Sequence, residues 1–103
     1  MSGGHGDDRL DGQSGDDFLS GSFGRDRING DAGNDTIYGN NEVDTLYGSD
    51  GFDLIYGGKA SDRLFGGKAE DTLYGGTGHD FIDGESSHDT AYGGDGNDWI
   101  DGS

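Results

Sequence analysis

Along this chain one aliphatic residue recurs every nine positions, at Leu10, Leu19, Ile28, Ile37, Leu46, Ile55, Leu64, Leu73, Ile82, Ala91 and Ile100. Two places before each stands an aspartate: Asp8, Asp17, Asp26, Asp35, Asp44, Asp53, Asp62, Asp71, Asp80, Asp89 and Asp98. Five places before each aspartate comes a glycine, from Gly3 and Gly12 onward in steps of nine to Gly93, with Gly102 next in phase. Residues 3–101 are therefore eleven unbroken nonapeptides, numbered 1 to 11 along the chain. In a unit such as Gly30-Asp-Ala-Gly-Asn-Asp-Thr-Ile-Tyr38, the first six residues are turn formers and the last three are β-branched or aromatic. Each unit thus predicts a tight turn followed by a short strand. Alternation within the strand sends the eighth residue inward and the seventh and ninth outward.

Two units, eighteen residues, close one flattened coil, so odd units stack on one side and even units on the other, with strands ~4.8 Å apart. The outward positions carry that longer period. The ninth position of the even units reads Ser20, Tyr38, Tyr56, Tyr74, Tyr92, whereas the odd units read Asp11, Asn29, Tyr47, Phe65, Asp83, Asp101. At the seventh position Arg9, Arg27 and Arg63 belong to odd units, and Thr36, Thr72 and Thr90 to even ones. The expected fold is all-β: a two-sided parallel solenoid of about 5.5 coils, eighteen residues each, filling residues 1–103 as a single domain.

Composition turns this repeat into a metal question. With 24 glycines, no proline, 27% hydrophobic residues and a net charge of −16, an aperiodic chain would be disordered. One aliphatic side chain per nine residues is too little burial to offset the ordering of the backbone. What is missing is a term that neutralises carboxylates and binds only the folded form, as a cation does. The absence of cysteine removes disulfides and thiolate sites, so the ion must be held by oxygen. No more than three apolar residues run consecutively, which is too short for a signal peptide or a membrane span. The acidic balance argues against nucleic acid and anionic lipid as partners.

Units such as Gly93-Gly-Asp-Gly-Asn-Asp-Trp-Ile-Asp101, Gly75-Gly-Thr-Gly-His-Asp-Phe-Ile-Asp83 and Gly3-Gly-His-Gly-Asp-Asp-Arg-Leu-Asp11 read Gly-Gly-x-Gly-x-Asp-x-U-x, with U aliphatic. This resembles the RTX family of nonapeptide repeats, a calcium-binding parallel β-helix. The resemblance spans residues 3–101. It implies a parallel β-roll, a two-sided right-handed β-helix solenoid, with calcium ions seated between stacked turns, each held by the sixth-position carboxylates of both turns and by turn carbonyls. The carboxylates would be the eleven aspartates from Asp8 to Asp98. The carbonyls would come from turns bearing Gly3, Gly12, Gly21, Gly30, Gly48, Gly75 and Gly93 at the first position, and Gly6, Gly15, Gly24, Gly33, Gly51, Gly78 and Gly96 at the fourth. Calcium suits such a site because it takes six to eight hard oxygen ligands in flexible geometry. Six odd turns leave five gaps and five even turns leave four, so at most nine ions fit, carrying +18 against −16. An inner aspartate such as Asp53 would bridge two ions, one through each oxygen.

Departures from the pattern predict unequal sites. Glu42, Ala60, Ala69 and Ser87 replace the fourth-position glycine, at a cost of ~1 kcal/mol each if φ is positive there. Lys59 and Lys68 bring ammonium groups to the third position, where they could repel an ion or replace one. The gaps between turns 5 and 7 (Asp44, Asp62) and 8 and 10 (Asp71, Asp89) are therefore the weak ones. Gaps 1–3, 2–4, 4–6 and 9–11 keep both glycines and are expected to fill.

Other readings meet simpler ones. The Tyr38, Tyr56, Tyr74, Tyr92 file could be a partner- or sugar-binding platform, as in an adhesin, but stacked outward aromatics ordinarily support a sheet face. His5, His79 and His88 stand at variable turn positions, where exposure to solvent is the plain expectation. The Thr36, Thr72, Thr90 rank, suggestive of an ice-binding surface, is interrupted by Leu54 and Phe18. No pocket can form around a serine–histidine–carboxylate set, because one aliphatic row per sheet fills the interior.

The expectation is a non-enzymatic calcium-binding module that folds on binding Ca2+. By resemblance it belongs to the C-terminal regions of secreted toxins, proteases, lipases, epimerases and adhesins. The repeats could be a stretch excised from a larger secreted protein or an engineered array. Met1-Ser2 leading straight into register favours the second origin, and the irregular Glu42 and Ser87 favour the first. Uncapped terminal coils, with Leu10 and Ile100 half covered, predict ends that either fray or stack end to end on a neighbour, with any self-association dependent on calcium.

Overall fold

A computed structural model describes residues 1–102. Two six-stranded parallel sheets face each other. One runs β1 (Ser2–Gly4), β3 (Phe18–Ser22), β5 (Thr36–Asn40), β7 (Leu54–Gly58), β9 (Thr72–Thr77), β11 (Thr90–Asp95). The other runs β2 (Arg9–Asp11), β4 (Arg27–Ala32), β6 (Thr45–Asp50), β8 (Arg63–Lys68), β10 (Phe81–Glu85), β12 (Trp99–Asp101). Pairing is in register at eighteen residues throughout, Ile37 beside Ile55 in one sheet and Leu46 beside Leu64 in the other. The expected β-roll with two units per coil is what the chain forms. Its twelve strands make about six turns, and Met1–Gly4 adds β1 to the edge of β3, with the Ser20 N–H donating to the Met1 carbonyl at 2.9 Å.

Nine of the twelve strands are longer than three residues. Most run five or six, through the first-position glycine and into the second or third residue of the next unit, as in Arg27–Ala32. Their burial alternates, with the eighth and first positions inward. The first glycine is therefore a strand residue facing the interior, not part of the turn. Its lack of a side chain is a matter of space, since a Cβ at Gly39 would lie 2.6 Å from Asp44 Oδ2 and 2.7 Å from the Gly57 carbonyl oxygen.

Leu19, Ile28, Ile37, Leu46, Ile55, Leu64, Leu73 and Ile82 form the core, each at most 1% exposed. The molecule is 12 Å thick along its shortest axis, which leaves room for one such row from each sheet. The two end residues differ. Ile100 is 45% exposed, as expected, but Leu10 is only 4% exposed, contrary to the expectation that both are half covered. That end carries the additional strand β1.

Candidate metal centre

The eighteen-residue register places the aspartates in two files, Asp8, Asp26, Asp44, Asp62, Asp80, Asp98 on one side and Asp17, Asp35, Asp53, Asp71, Asp89 on the other. Within each file the N–H of one aspartate donates to Oδ1 of the next: Asp8 to Asp26, Asp26 to Asp44 and Asp44 to Asp62 on the odd side, Asp17 to Asp35, Asp35 to Asp53 and Asp53 to Asp71 on the even side, at 2.8–2.9 Å. Asp62 to Asp80, Asp71 to Asp89 and Asp80 to Asp98 complete the series at the same lengths. Every gap between turns is closed by this bond, including the two expected to be weak.

The second oxygen has no such partner. Oδ2 of all ten aspartates from Asp8 to Asp89 is buried without a hydrogen bond. Each lies against the first-position glycine of its own unit, so that Gly12 faces Asp17 and Gly57 faces Asp62. Gly3, Gly21, Gly30, Gly48, Gly75 and Gly93 stand in the same relation to their aspartates, and so do Gly39, Gly57, Gly66 and Gly84, which belong to turns with an altered fourth residue. A buried acceptor with no donor costs on the order of 1–3 kcal/mol, more when charged. Ten in two files therefore call for something that binds oxygen.

Titration of the acids reflects the same strain. Burial is the main reason that Asp44, Asp62 and Asp71 are raised from 3.8 to about 7 and Asp53 to about 6. The amide bond at Oδ1 opposes the rise and neighbouring carboxylates add to it. Asp26, Asp35 and Asp80 move upward for the same first cause. Without a counter-ion, these carboxylates are held where ionisation is unfavourable.

The turns supply the rest of the surroundings. The fourth position has positive φ throughout, at Gly6, Gly15, Gly24, Gly33, Gly51, Gly78 and Gly96 and also at Glu42, Ala60, Ala69 and Ser87. The second position shares this conformation, including at Gln13, Asp31 and Ser49. Glycine does not mark that conformation, because about half of those positions hold another residue. A further ladder, unmarked by any fixed residue type, runs along the turns: fifth-position side chains accept the N–H of the fifth residue one coil on, Asp7 from Arg25, Asp16 from Asn34, Asn34 from Phe52, Ser61 from His79 and His79 Nδ1 from Asn97. His79 is thus exposed, as expected, but bonded. Lys68 points outward to Asp50 at 3.2 Å rather than into a gap, and Lys59 is exposed.

The tyrosine file forms as expected, Tyr38, Tyr56, Tyr74 and Tyr92 stacking at 4.7–4.9 Å within 10° of parallel. The two inner rings have both faces covered by neighbours, so the file offers edges and hydroxyl groups, not stacking platforms. Tyr47 and Phe65 form a shorter stack on the opposite sheet, with the Arg27 guanidinium 5.1 Å from the Tyr47 ring.

Among the described residues no three His, Cys, Asp or Glu side chains converge. Each turn brings one buried carboxylate to its file rather than a cage of converging side chains. Orphaned, buried, hard oxygen atoms fit a divalent ion of calcium's preferences, and burial raises the pKa of seven of these carboxyls, from Asp26 to Asp80. The repeat, the fold and these atoms define a calcium-stacked solenoid. The chain belongs to the family of the RTX calcium-binding nonapeptide repeat, whose model matches residues 2–37, 11–46, 38–73 and 74–103. It is a calcium-binding repeat module. No curated protein and no solved structure matches it.

Proposed function

We propose that this chain is a calcium-driven folding module of a secreted protein, disordered when calcium is scarce and a rigid roll where it is plentiful. The observation that carries the reading is the double file of ten buried Oδ2 atoms without partners. The ligands in this reading are the eleven aspartates together with carbonyls of the turns. Calcium would neutralise the acids that burial disfavours, and binding to the folded chain alone makes its binding energy folding energy.

In chelator the circular dichroism spectrum should be that of a coil, and in millimolar calcium that of a β protein, with site affinities in the ~10⁻⁴–10⁻³ M range of extracellular modules. Magnesium should replace calcium poorly, because it demands tight octahedral geometry and gives up water reluctantly. A β spectrum that persists in excess chelator would refute the reading. The same logic extends to self-association: the polyanion should remain monomeric without calcium, and the loaded chain should stack through the exposed Ile100 end. Sedimentation at rising calcium, with Trp99 fluorescence as reporter, checks this.

A further inference from the structure

The eleven turns share one conformation but not one quality of contact. A methyl group at Gly24, Gly33, Gly51, Gly78 or Gly96 would collide with the carbonyl oxygen of the fourth residue in the turn beneath, that of Gly6, Gly15, Gly33, Ala60 or Gly78. Where a side chain is present, the backbone has swung away. φ is 70° at Glu42, 76° at Ala60, 73° at Ala69 and 89° at Ser87, against 94° to 126° at the glycines of that position.

Bonding between turns follows the same division. In gaps 2–4, 4–6 and 9–11 the fourth-position N–H donates to the third-position carbonyl of the turn above: Gly15 to Ala32 at 2.9 Å, Gly33 to Asp50 at 2.9 Å and Gly78 to Asp95 at 3.0 Å. Among the described residues, no gap that contains Glu42, Ala60, Ala69 or Ser87 has this bond. Gap 1–3, with glycine in both turns, also lacks it; there Phe23 stacks on His5. Gap 3–5 has a substitute, since Glu42 Oε2 accepts the Gly24 N–H at 2.8 Å. That carboxylate lies close enough to Asp26 and Asp44 to add to the negative potential at both.

We propose that the fourth turn position sets the calcium concentration at which each gap closes, so that the roll orders in two stages. Turns 1 to 6 close first, with Glu42 acting as a positioning residue that holds gap 3–5 in this early group. The coils carrying Ala60, Ala69 and Ser87 close at higher calcium. Gap 9–11, although complete, closes with them, because a solenoid unit is stabilised by its nearest neighbours and those are altered. This rests on the calcium-folding reading above.

A calcium titration of the full chain followed by amide NMR tests it. Amides of residues 14–56 should reach their folded positions at lower calcium than those of residues 62–92. The combined variant A60G/A69G/S87G should shift the late midpoint down by about threefold per site, the strain of a left-handed residue being partly offset by glycine's freedom in the unfolded chain. E42G should move the opposite way and raise the midpoint at residues 24–45. E42Q, which keeps an acceptor but loses the charge, should raise it less. A single midpoint for all turns, an unmoved late midpoint in the triple variant, or a fall in midpoint for E42G like that for A60G would each overturn the proposal. Failure to fold at any calcium level would instead refute the calcium reading itself.

Discussion

At the residue scale the division of labour lies between the two oxygens of each aspartate. In Asp53, Oδ1 accepts the Asp35 N–H while Oδ2 is buried and unpaired. An ion on either side of this residue would use Oδ2 and the remaining lone pair of Oδ1, so the bridging role expected from sequence shares one oxygen with an amide. Asp8 sits in the first turn, and its Oδ1 has no aspartate N–H beneath it in the file. Asp53→Asn, which preserves an acceptor but removes the charge, should therefore raise the calcium midpoint of folding more than Asp8→Asn. Calorimetric or dichroism titrations that show equal shifts would count against bridging. Gly48→Ala should be worse than either, because its methyl group would meet Asp53 Oδ2 and, at 2.6 Å, the Gly66 carbonyl. That the aspartates line up in files beside the first glycines was legible in their unbroken period. The orphaned oxygen was not, since it depends on a hydrogen bond eighteen residues away.

At the element scale the strand-and-turn alternation was readable, and its boundaries were not. Propensity assigns Gly30-Asp-Ala to a turn, yet these residues finish strand β4, because parallel pairing with Tyr47–Asp50 extends past the point where local preference ends. Tertiary pairing overrides propensity most easily at glycine, whose side chain makes no demand of its own. Each strand from β2 to β10 contributes one aliphatic residue to the core, so each has an unusually large share of it. Ile55→Ala, in a fully buried position between Ile37 and Leu73, should cost about 2–5 kcal/mol and lower the thermal midpoint in saturating calcium. Tyr56→Ala, half-exposed on the outer face of the same strand, should cost less. An Ile55→Ala protein with an unchanged midpoint would mean that the metal files, not the aliphatic rows, hold the sheets together.

For the whole molecule the decisive quantity is charge, and the net −16 of the sequence understates its local density. Asp44, Asp62 and Asp71 titrate near 7 and Asp53 near 6 in the folded chain, against about 3.8 when exposed. A folded value raised above the unfolded one means that the folded chain binds more protons between those limits. The contribution is fully present below about pH 4 and disappears as pH rises through 6 to 7. Protons should therefore do part of calcium's work. In chelator, strand content should increase as pH falls from 7.5 to 5.5, a range above the isoelectric point of about 4.1 where precipitation would confuse the signal. In saturating calcium the same change of pH should have little effect until protons compete for the carboxylates, and there it should release ions. The calcium midpoint at pH 6 should also be less cooperative, because some interior acids are already neutral. If the chelated chain stays a coil throughout that range, ionised interior carboxylates are not what keeps it unfolded, and calcium must act by organising the turns rather than by cancelling charge.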